Sequence, residues 1–409
     1  MKQHVKVAGL LGLSVATLFG AGYKIPEQSL NSTALSAAYV ANARGADASY
    51  YNPANMAFSP SGSDLEMALT YIRLPKVTYK DNGSSASKTG VAASDATSKS
   101  ENFYIPTFHY MSPTFNSWRF GLSFVAPAGL SKRWSDAFPK SSAQEFTLKV
   151  LELNPTASYK VNDKFAVGFG LRGVLSSGIV KADSTAVKQD MTGNSIDFGY
   201  NLAASYRPAS NITLSSTYRS KVDLTIKGNA TGHVGAHSFN NTAANVKLPL
   251  PAALTFAVAY TYNKTTAELV YERTYWSTYK NLDFNFPNDS TVEGALGVSK
   301  PKNWKDTNAF RLGITHQYSD KLKLMAGFAI DKSPIPNSTL GFELPGSDAK
   351  LYSAGFEYKV NDNMKVGLAY LYDHKDSRTV NQGAASGKLK GTFSGGGAHL
   401  ITASFKYKF

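Results

Sequence analysis

The chain has 409 residues, with 43 Lys and Arg against 29 Asp and Glu for a formal charge of +14, no cysteine, and 23 each of Tyr and Phe. Its mean hydropathy is negative and no stretch of 18 apolar residues follows the amino terminus, which argues against an inner-membrane helical protein. No basic cluster with interleaved aromatics lies on one helix, so nucleic acid is not the partner; the charge reads as lumen and loop charge near acidic lipid or an anionic substrate.

In chain order, Lys2 and Lys6 precede an apolar run from Val7 to Phe19 and the small residues Gly20, Ala21 and Gly22. That pattern predicts a secretory signal peptide over 1–20, cleaved near Ala21, and the absence of cysteine accords with export. Residues 21–63 are rich in Ala, Asn, Ser and Gly and do not alternate. Two readings stay open for them: a plug, or hatch, folded into a lumen, or a disordered periplasmic tail. The apolar surface of Ala34 to Val40 and Ala54 to Phe58 favours the plug.

From 64 to 409 the chain reads as strands. Six tight polar turns recur, at Phe115-Asn116-Ser117, Asn162-Asp163, Pro208-Ala209-Ser210, Asn263-Lys264, Ser319-Asp320 and Asn361-Asp362. Between them lie seven longer polar stretches, near 81–100, 127–144, 183–193, 229–244, 285–303, 334–347 and 379–396. Together they join fourteen strands, the first over Leu65 to Lys80, with both chain ends on the short-turn side. The expected fold is all-β, a 14-stranded antiparallel transmembrane barrel with short turns in the periplasm. Alternation is strict near the end: Leu322, Leu324, Ala326, Phe328 and Ile330 face one way, as do Tyr352, Ala354, Phe356, Tyr358 and Val360, and then Met364, Val366, Leu368, Tyr370 and Tyr372. The last strand, Ala398 to Phe409, sets Ile401, Ala403, Phe405, Tyr407 and Phe409 against Thr402, Ser404, Lys406 and Lys408. A soluble sandwich needs no signal peptide, fourteen strands and terminal aromatic together.

Three sets of residues are candidates for function. In the third strand, Pro127, Ala128 and Gly129 fall where a barrel strand should continue; proline donates no ladder hydrogen bond and glycine permits a kink. The segment is either a gap in the wall or a strand end at Ala126. After it, Leu130, Trp134 and Phe138 recur at helix-like spacing, and with Phe284 and Phe286 they form a candidate apolar capture groove; alternatively these aromatics anchor at the outer interface. Arg172, Lys181, Arg219, Arg311 and Lys323 are candidate partners for a carboxylate inside the lumen, against the alternative of pairing with Asp223, Glu272 or Asp331. There is no Gly-x-Ser-x-Gly, no His-Glu-x-x-His and no histidine pair at metal spacing, so neither an enzyme nor a metal or cofactor site is expected.

Gly45-Ala46-Asp47 followed by Tyr51-Asn52-Pro53-Ala54 resembles the hatch of the FadL family of outer-membrane transporters for long-chain fatty acids and related hydrophobic compounds. Thr217-Tyr218-Arg219-Ser220, Gly228-Asn229, Leu248-Pro249, Trp276-Ser277 before Tyr279, Trp304 to Thr307, Phe310 to Gly313 and Ala326 to Pro336 fall in that family's order. The resemblance implies a hatch motif at Gly45, Asp47, Asn52, Pro53 and Ala54 and a kink at Pro127, Ala128 and Gly129. It implies capture between loops, an interior pocket and sideways release through the wall, with pocket basic residues near Val180 or Lys181 and near Lys300 or Lys302. It also implies a monomer that meets outer-membrane lipid, lipopolysaccharide and the barrel-insertion machinery, and a substrate that is a long-chain fatty acid or another apolar molecule. The alternatives are a general porin for small solutes and an adhesin or receptor barrel.

Overall fold

A computed structural model of the protein describes residues 22–409, so the predicted signal peptide lies outside the described residues. Fourteen wall strands follow: β1 (Asp64–Leu74), β2 (Glu101–Met111), β3 (Trp118–Arg133), β4 (Glu145–Lys160), β5 (Phe165–Asp183), β6 (Val187–Ala209), β7 (Ile212–Arg219 and Val222–Val234), β8 (His237–Leu250 and Ala253–Tyr262), β9 (Thr265–Thr274), β10 (Thr307–Gln317), β11 (Leu322–Asp331), β12 (Ala349–Lys359), β13 (Met364–Lys375) and β14 (Ala398–Lys408). Each pairs antiparallel with its neighbours, and β14 closes on β1 from Asp64 opposite Lys408 to Arg73 opposite His399. Closure gives nearly every wall N–H and C=O a partner inside the protein, which lipid requires. The alternation holds: Phe405, Tyr407 and Phe409 are exposed on the outside, and Thr402 on the same strand is buried.

Five of the six short turns stand where the sequence places them and the sixth shifts from 208–210 to Ser210-Asn211, but four longer segments differ. β1 ends at Leu74, before Pro75, and Val77–Asp81 instead pairs with Lys390–Gly395 in a small sheet over the mouth. The stretches near 183–193 and 229–244 are mostly strand, because β5 with β6 and β7 with β8 run on as hairpins turning at 184–186 and 235–236. Outside the bilayer a strand faces water on both sides, so the apolar/polar alternation that marks it in lipid disappears. β3 likewise runs through Pro127 to Arg133, so 127–133 is wall rather than loop.

Residues 22–63 fill the barrel interior as a hatch rather than trailing as a tail. Ser29 Oγ accepts from Ser32 N to start the short helix Leu30–Ala34, and further turns form at Ala48–Tyr51 and Pro53–Phe58. The hatch bonds to inward-facing wall side chains around the circumference. Val40 N and Ala41 N donate to Glu268 at 2.7 and 2.6 Å, Asn52 Nδ2 to Ser205 Oγ at 2.9 Å, and Ser158 Oγ to Ala54 O at 3.2 Å. Buried Asp47 accepts from Asn31 Nδ2 and the Tyr39 hydroxyl, both at 3.1 Å, and Gly45 takes a left-handed φ of 87°. Inward glycines make room where hatch backbone touches wall. A Cβ on Gly327 would lie 2.1 Å from the Leu35 carbonyl carbon, and one on Gly168 2.5 Å from Ala54 N. Backbone on both sides leaves nothing flexible to yield. Gly327→Val is therefore expected to unseat the hatch and raise conductance in planar bilayers; a closed channel indistinguishable from the parent would contradict this seating.

Candidate functional site

The third strand sets the geometry. Along β4 the β3 register shifts between Val125 and Ala128, where Pro127 supplies no N–H. Along β2 the pairing is restricted to Met111 opposite Gly121 through Phe108 opposite Phe124. Contact resumes only beyond the strand, where Lys99 N donates to Arg133 O at 2.9 Å. Between these points 101–107 and 125–132 share no ladder, and Pro106 sits on this stretch of β2, as a strand edge tolerates. The backbone groups that β2 leaves unmatched are met from inside by the first residues of the hatch. Ile25 N donates to Pro127 O at 2.8 Å, Gly129 N to Tyr23 O at 2.9 Å, and the Gln28 amide both accepts from Ala126 N at 2.7 Å and donates to Ala126 O at 2.9 Å. Ile25, Ile72, Phe103, Ile105, Leu351 and Leu400 form a dry cluster behind this seam. Glu101 laces its upper end, accepting from Ser131 Oγ at 2.5 Å and Arg133 at 3.0 Å.

Beside the hatch lies a cavity of about 90 Å³ whose lining includes Lys24, Tyr50, Pro127, Arg172, Arg219, Glu272 and Arg311. Three of the five candidate carboxylate partners meet here. Arg172 lies 2.9 Å from Glu152 Oε2, Arg219 bonds to the other Glu152 oxygen and lies 4.4 Å over the Tyr50 ring, and Arg311 reaches Asp331 at 3.4 Å and Glu272 at 3.7 Å. Lys24 bonds to Glu272 at 2.9 Å. Of the expected acidic neighbours, Glu272 and Asp331 do pair with the lumen; Asp223 pairs with Lys221 at 2.9 Å instead. Lys181 and Lys323 do not join the cavity. Lys181 pairs with Asp190 at 2.8 Å near the outer end of β5, and Lys323 lies at the opposite mouth, 3.1 Å from Glu357. Sequence reasoning missed Lys24 and Glu152. Glu152 carried a signal, an acidic residue at an inward position of β4, but of its two arginine partners Arg172 sits on the next strand, β5, while Arg219 comes from β7, 67 residues on.

Glu27 is buried in the hatch with neither carboxyl oxygen bonded to another residue. Burial raises its pKa to about 7, Arg311 opposes the rise, and Asp373 and Asp331 add to it. The native state therefore holds this proton where an unfolded glutamic acid has lost it, so seating weakens as pH climbs from about 4.5 through about 7. The penalty above that range is on the order of 3 kcal/mol. A Glu27→Gln variant should protect the Ile25 and Gly129 amides from hydrogen exchange better than the parent at pH 8 and equally at pH 4; equal protection at both would refute the assignment.

The capture residues come together, though not as an open groove on one helix. Leu130 belongs to β3, Trp134 follows it, and only Phe138 lies on the helix Ala137–Ala143. All three are buried in one cluster with Phe284, Phe286, Phe342 and Tyr79, and Trp134 Nε1 donates to Phe342 O at 2.9 Å. The helix-like spacing is coincidental, since the strand's twist and the short helix aim these side chains inward together. Below them Tyr23 packs edge-on to Trp276 at 4.7 Å, and Trp304 lies 4.9 Å from both Trp276 and Tyr279. Both indole N–H groups are buried without a partner. Lys302 pairs with Glu343 at the edge of this ring cluster.

No helix among the described residues is long and apolar enough to cross a membrane. The family model "Outer membrane protein transport protein (OMPP1/FadL/TodX)" matches residues 12–409. The long-chain fatty acid transport protein of Escherichia coli K12 is 23% identical over 378 residues, covering 78% of this chain and 81% of that one. A FadL homologue from Pseudomonas aeruginosa superposes with a TM-score of 0.84 at 18% identity, covering 95% of this chain and 100% of that one. The Pseudomonas putida toluene transporter TodX gives a TM-score of 0.69 at 17% identity over 97% and 99%. A fourteen-strand wall, an interior hatch and a match over nearly the whole length establish that the chain belongs to the OMPP1/FadL/TodX family of outer membrane transport proteins.

Proposed function

We propose that the protein takes up long-chain fatty acids or comparably apolar molecules, captured among the loops, bound inside and released sideways through the wall at β3. The carrying observation is the lost β2–β3 ladder at Pro127, Ala128 and Gly129, covered from inside by the first hatch residues and backed by an apolar cluster. A solute of this kind gains nothing from a watery pore, since exposing apolar surface costs about 25 cal/mol per Å². A dry interior and a sideways exit into lipid avoid that cost. Leu130, Trp134, Phe138, Phe284 and Phe286 provide the first apolar contact when the loops part. The cavity arginines then hold the head group: Arg172 and Arg219 share one carboxylate, Glu152, leaving one positive charge for a ligand. The hatch, through Gly45, Asp47, Asn52, Pro53 and Ala54, keeps the passage closed to small hydrophilic solutes, which disfavours a general porin. The fatty acid assignment follows the Escherichia coli relative; the TodX likeness and the Tyr23, Trp276, Tyr279 and Trp304 rings support aromatic hydrocarbons as a second reading. Saturable binding of radiolabelled oleate by purified protein tests the first, and displacement of that oleate by toluene the second. Absence of saturable binding of either would remove the proposal.

A further inference from the structure

A second seam in the wall lies between β6 and β7. Below it the strands pair from Asn201 opposite Arg219 down to the turn, and above it from Asn194 opposite Lys227 outward. Between those points 195–200 and 220–226 have no regular pairing, and β7 breaks at 220–221. On its other edge β6 is continuous, with Ser195 opposite Ser176 of β5, and β7 pairs with β8 on both sides of its break, Arg219 opposite Ala253 and Val222 opposite Leu250. The longer gap is the one between β6 and β7, since the β7–β8 ladder misses only 220–221 and 251–252. One backbone bond crosses the gap, Ser220 N to Tyr200 O at 2.9 Å, and side chains supply the rest: Thr225 N donates to Asp197 Oδ2 at 3.2 Å, Tyr200 N to Ser220 Oγ at 2.9 Å, and Arg172 Nη1 to Ser220 O at 2.6 Å.

On the lipid side the seam is flanked by Ile196 and by Phe198, which at 77% is the most exposed large apolar side chain of the described residues. Outward apolar residues run along β6 from Tyr206 to Ile196, eleven residues that at about 3.3 Å each and a barrel's tilt span the apolar band. The seam therefore opens at the upper, outer-leaflet half of the bilayer. On the lumen side stand the buried side chains of Val222 and Leu224, with Arg172 of the binding cavity beside them. Gly199, at the centre, carries no side chain, and Val222 packs into the room this leaves, so the seam is closed there by a movable side chain.

We propose that the β6–β7 seam is a second lateral port, through which an acyl chain passes between the interior and the outer leaflet, with Arg172 and Asp197 as its latch. The port rests on the lateral-release reading above and runs in parallel with the β3 exit. Arg172 suits a latch because it touches both the Ser220 carbonyl and Glu152. A carboxylate arriving in the cavity competes for that guanidinium and frees the carbonyl that holds β7.

The parent has no cysteine, so one engineered pair is unambiguous. A Cβ on Gly199 would lie 2.6 Å from Val222 Cγ2, which brings Gly199→Cys and Val222→Cys within disulfide reach. Radiolabelled oleate uptake into proteoliposomes is followed with this pair oxidised and then reduced, in the parent and in a protein with Pro127, Ala128 and Gly129 replaced by β-formers. In the sealed-β3 protein oxidation is expected to cut residual uptake about tenfold, with return on reduction; in the parent the loss stays within about twofold. A Gly199→Leu variant, which fills the seam without a cross-link, should slow the same residual uptake while oleate binding persists. Residual uptake insensitive to redox state and to Gly199→Leu, or no residual uptake once β3 is sealed, overturns the second port and leaves the β3 exit standing. If sealing β3 and stapling β6–β7 together change nothing, the lateral reading itself falls, and the second port with it.

Discussion

Replacing Pro127, Ala128 and Gly129 by Val, Thr and Val should lower oleate uptake about tenfold while saturable binding and barrel assembly persist. Valine at 127 restores an N–H, and removing the glycine removes the kink, so β3 can continue its ladder along β2. Each bond regained contributes about 0.5–1.5 kcal/mol, and two of them suffice to shift an opening equilibrium tenfold. The first hatch residues would lose part of their docking edge, because Ile25 N and Tyr23 O bond to Pro127 and Gly129 in the parent. Binding lies behind the seam and should survive. Uptake equal to the parent's, with the variant folded and binding oleate, would exclude exit at β3.

The second large effect concerns Arg172. Arg172→Met should weaken oleate binding by roughly ten- to a hundredfold, the loss of one hydrogen bond to a charged group at about 1.5–3 kcal/mol, and leave toluene binding unchanged. Arg219 would still neutralise Glu152, so the variant avoids the larger cost of an uncompensated buried carboxylate. Glu152→Gln should act in the opposite direction, freeing two guanidinium groups and tightening oleate binding. Competition between radiolabelled oleate and toluene on each variant separates loss of a head-group contact from collapse of the cavity. A parallel loss of both ligands in Arg172→Met would mark Arg172 as structural only.

Much of the wall was legible in the sequence because lipid outside and polar contacts inside impose a period of two on every crossing strand. The terminal strand ending at Phe409, the six short turns and the strand number all follow from that pattern. The outer hairpin ends did not, since above the bilayer β5 to β8 meet water on both faces and their alternation fades. Of the candidate site, the β3 break was legible from Pro127 and Gly129, whose backbone chemistry is local. Its consequence was not, because what covers the break is a segment a hundred residues earlier, Tyr23 to Gln28. The same holds for Arg172, Arg219 and Arg311, which face inward by register, while Lys181 and Lys323 do not join them because depth along the barrel separates residues that share a face.

The sequence by itself therefore determined the barrel and its even strand number, which depend on short-range periodicity against two solvents, while for 21–63 it left a plug and a tail both open. Only the tertiary structure decided which seams of the wall are open, which charges share Glu152 and which indoles stand unpartnered. Those properties arise from pairing between distant strands and from a hatch packed against many of them, and no local pattern encodes such contacts.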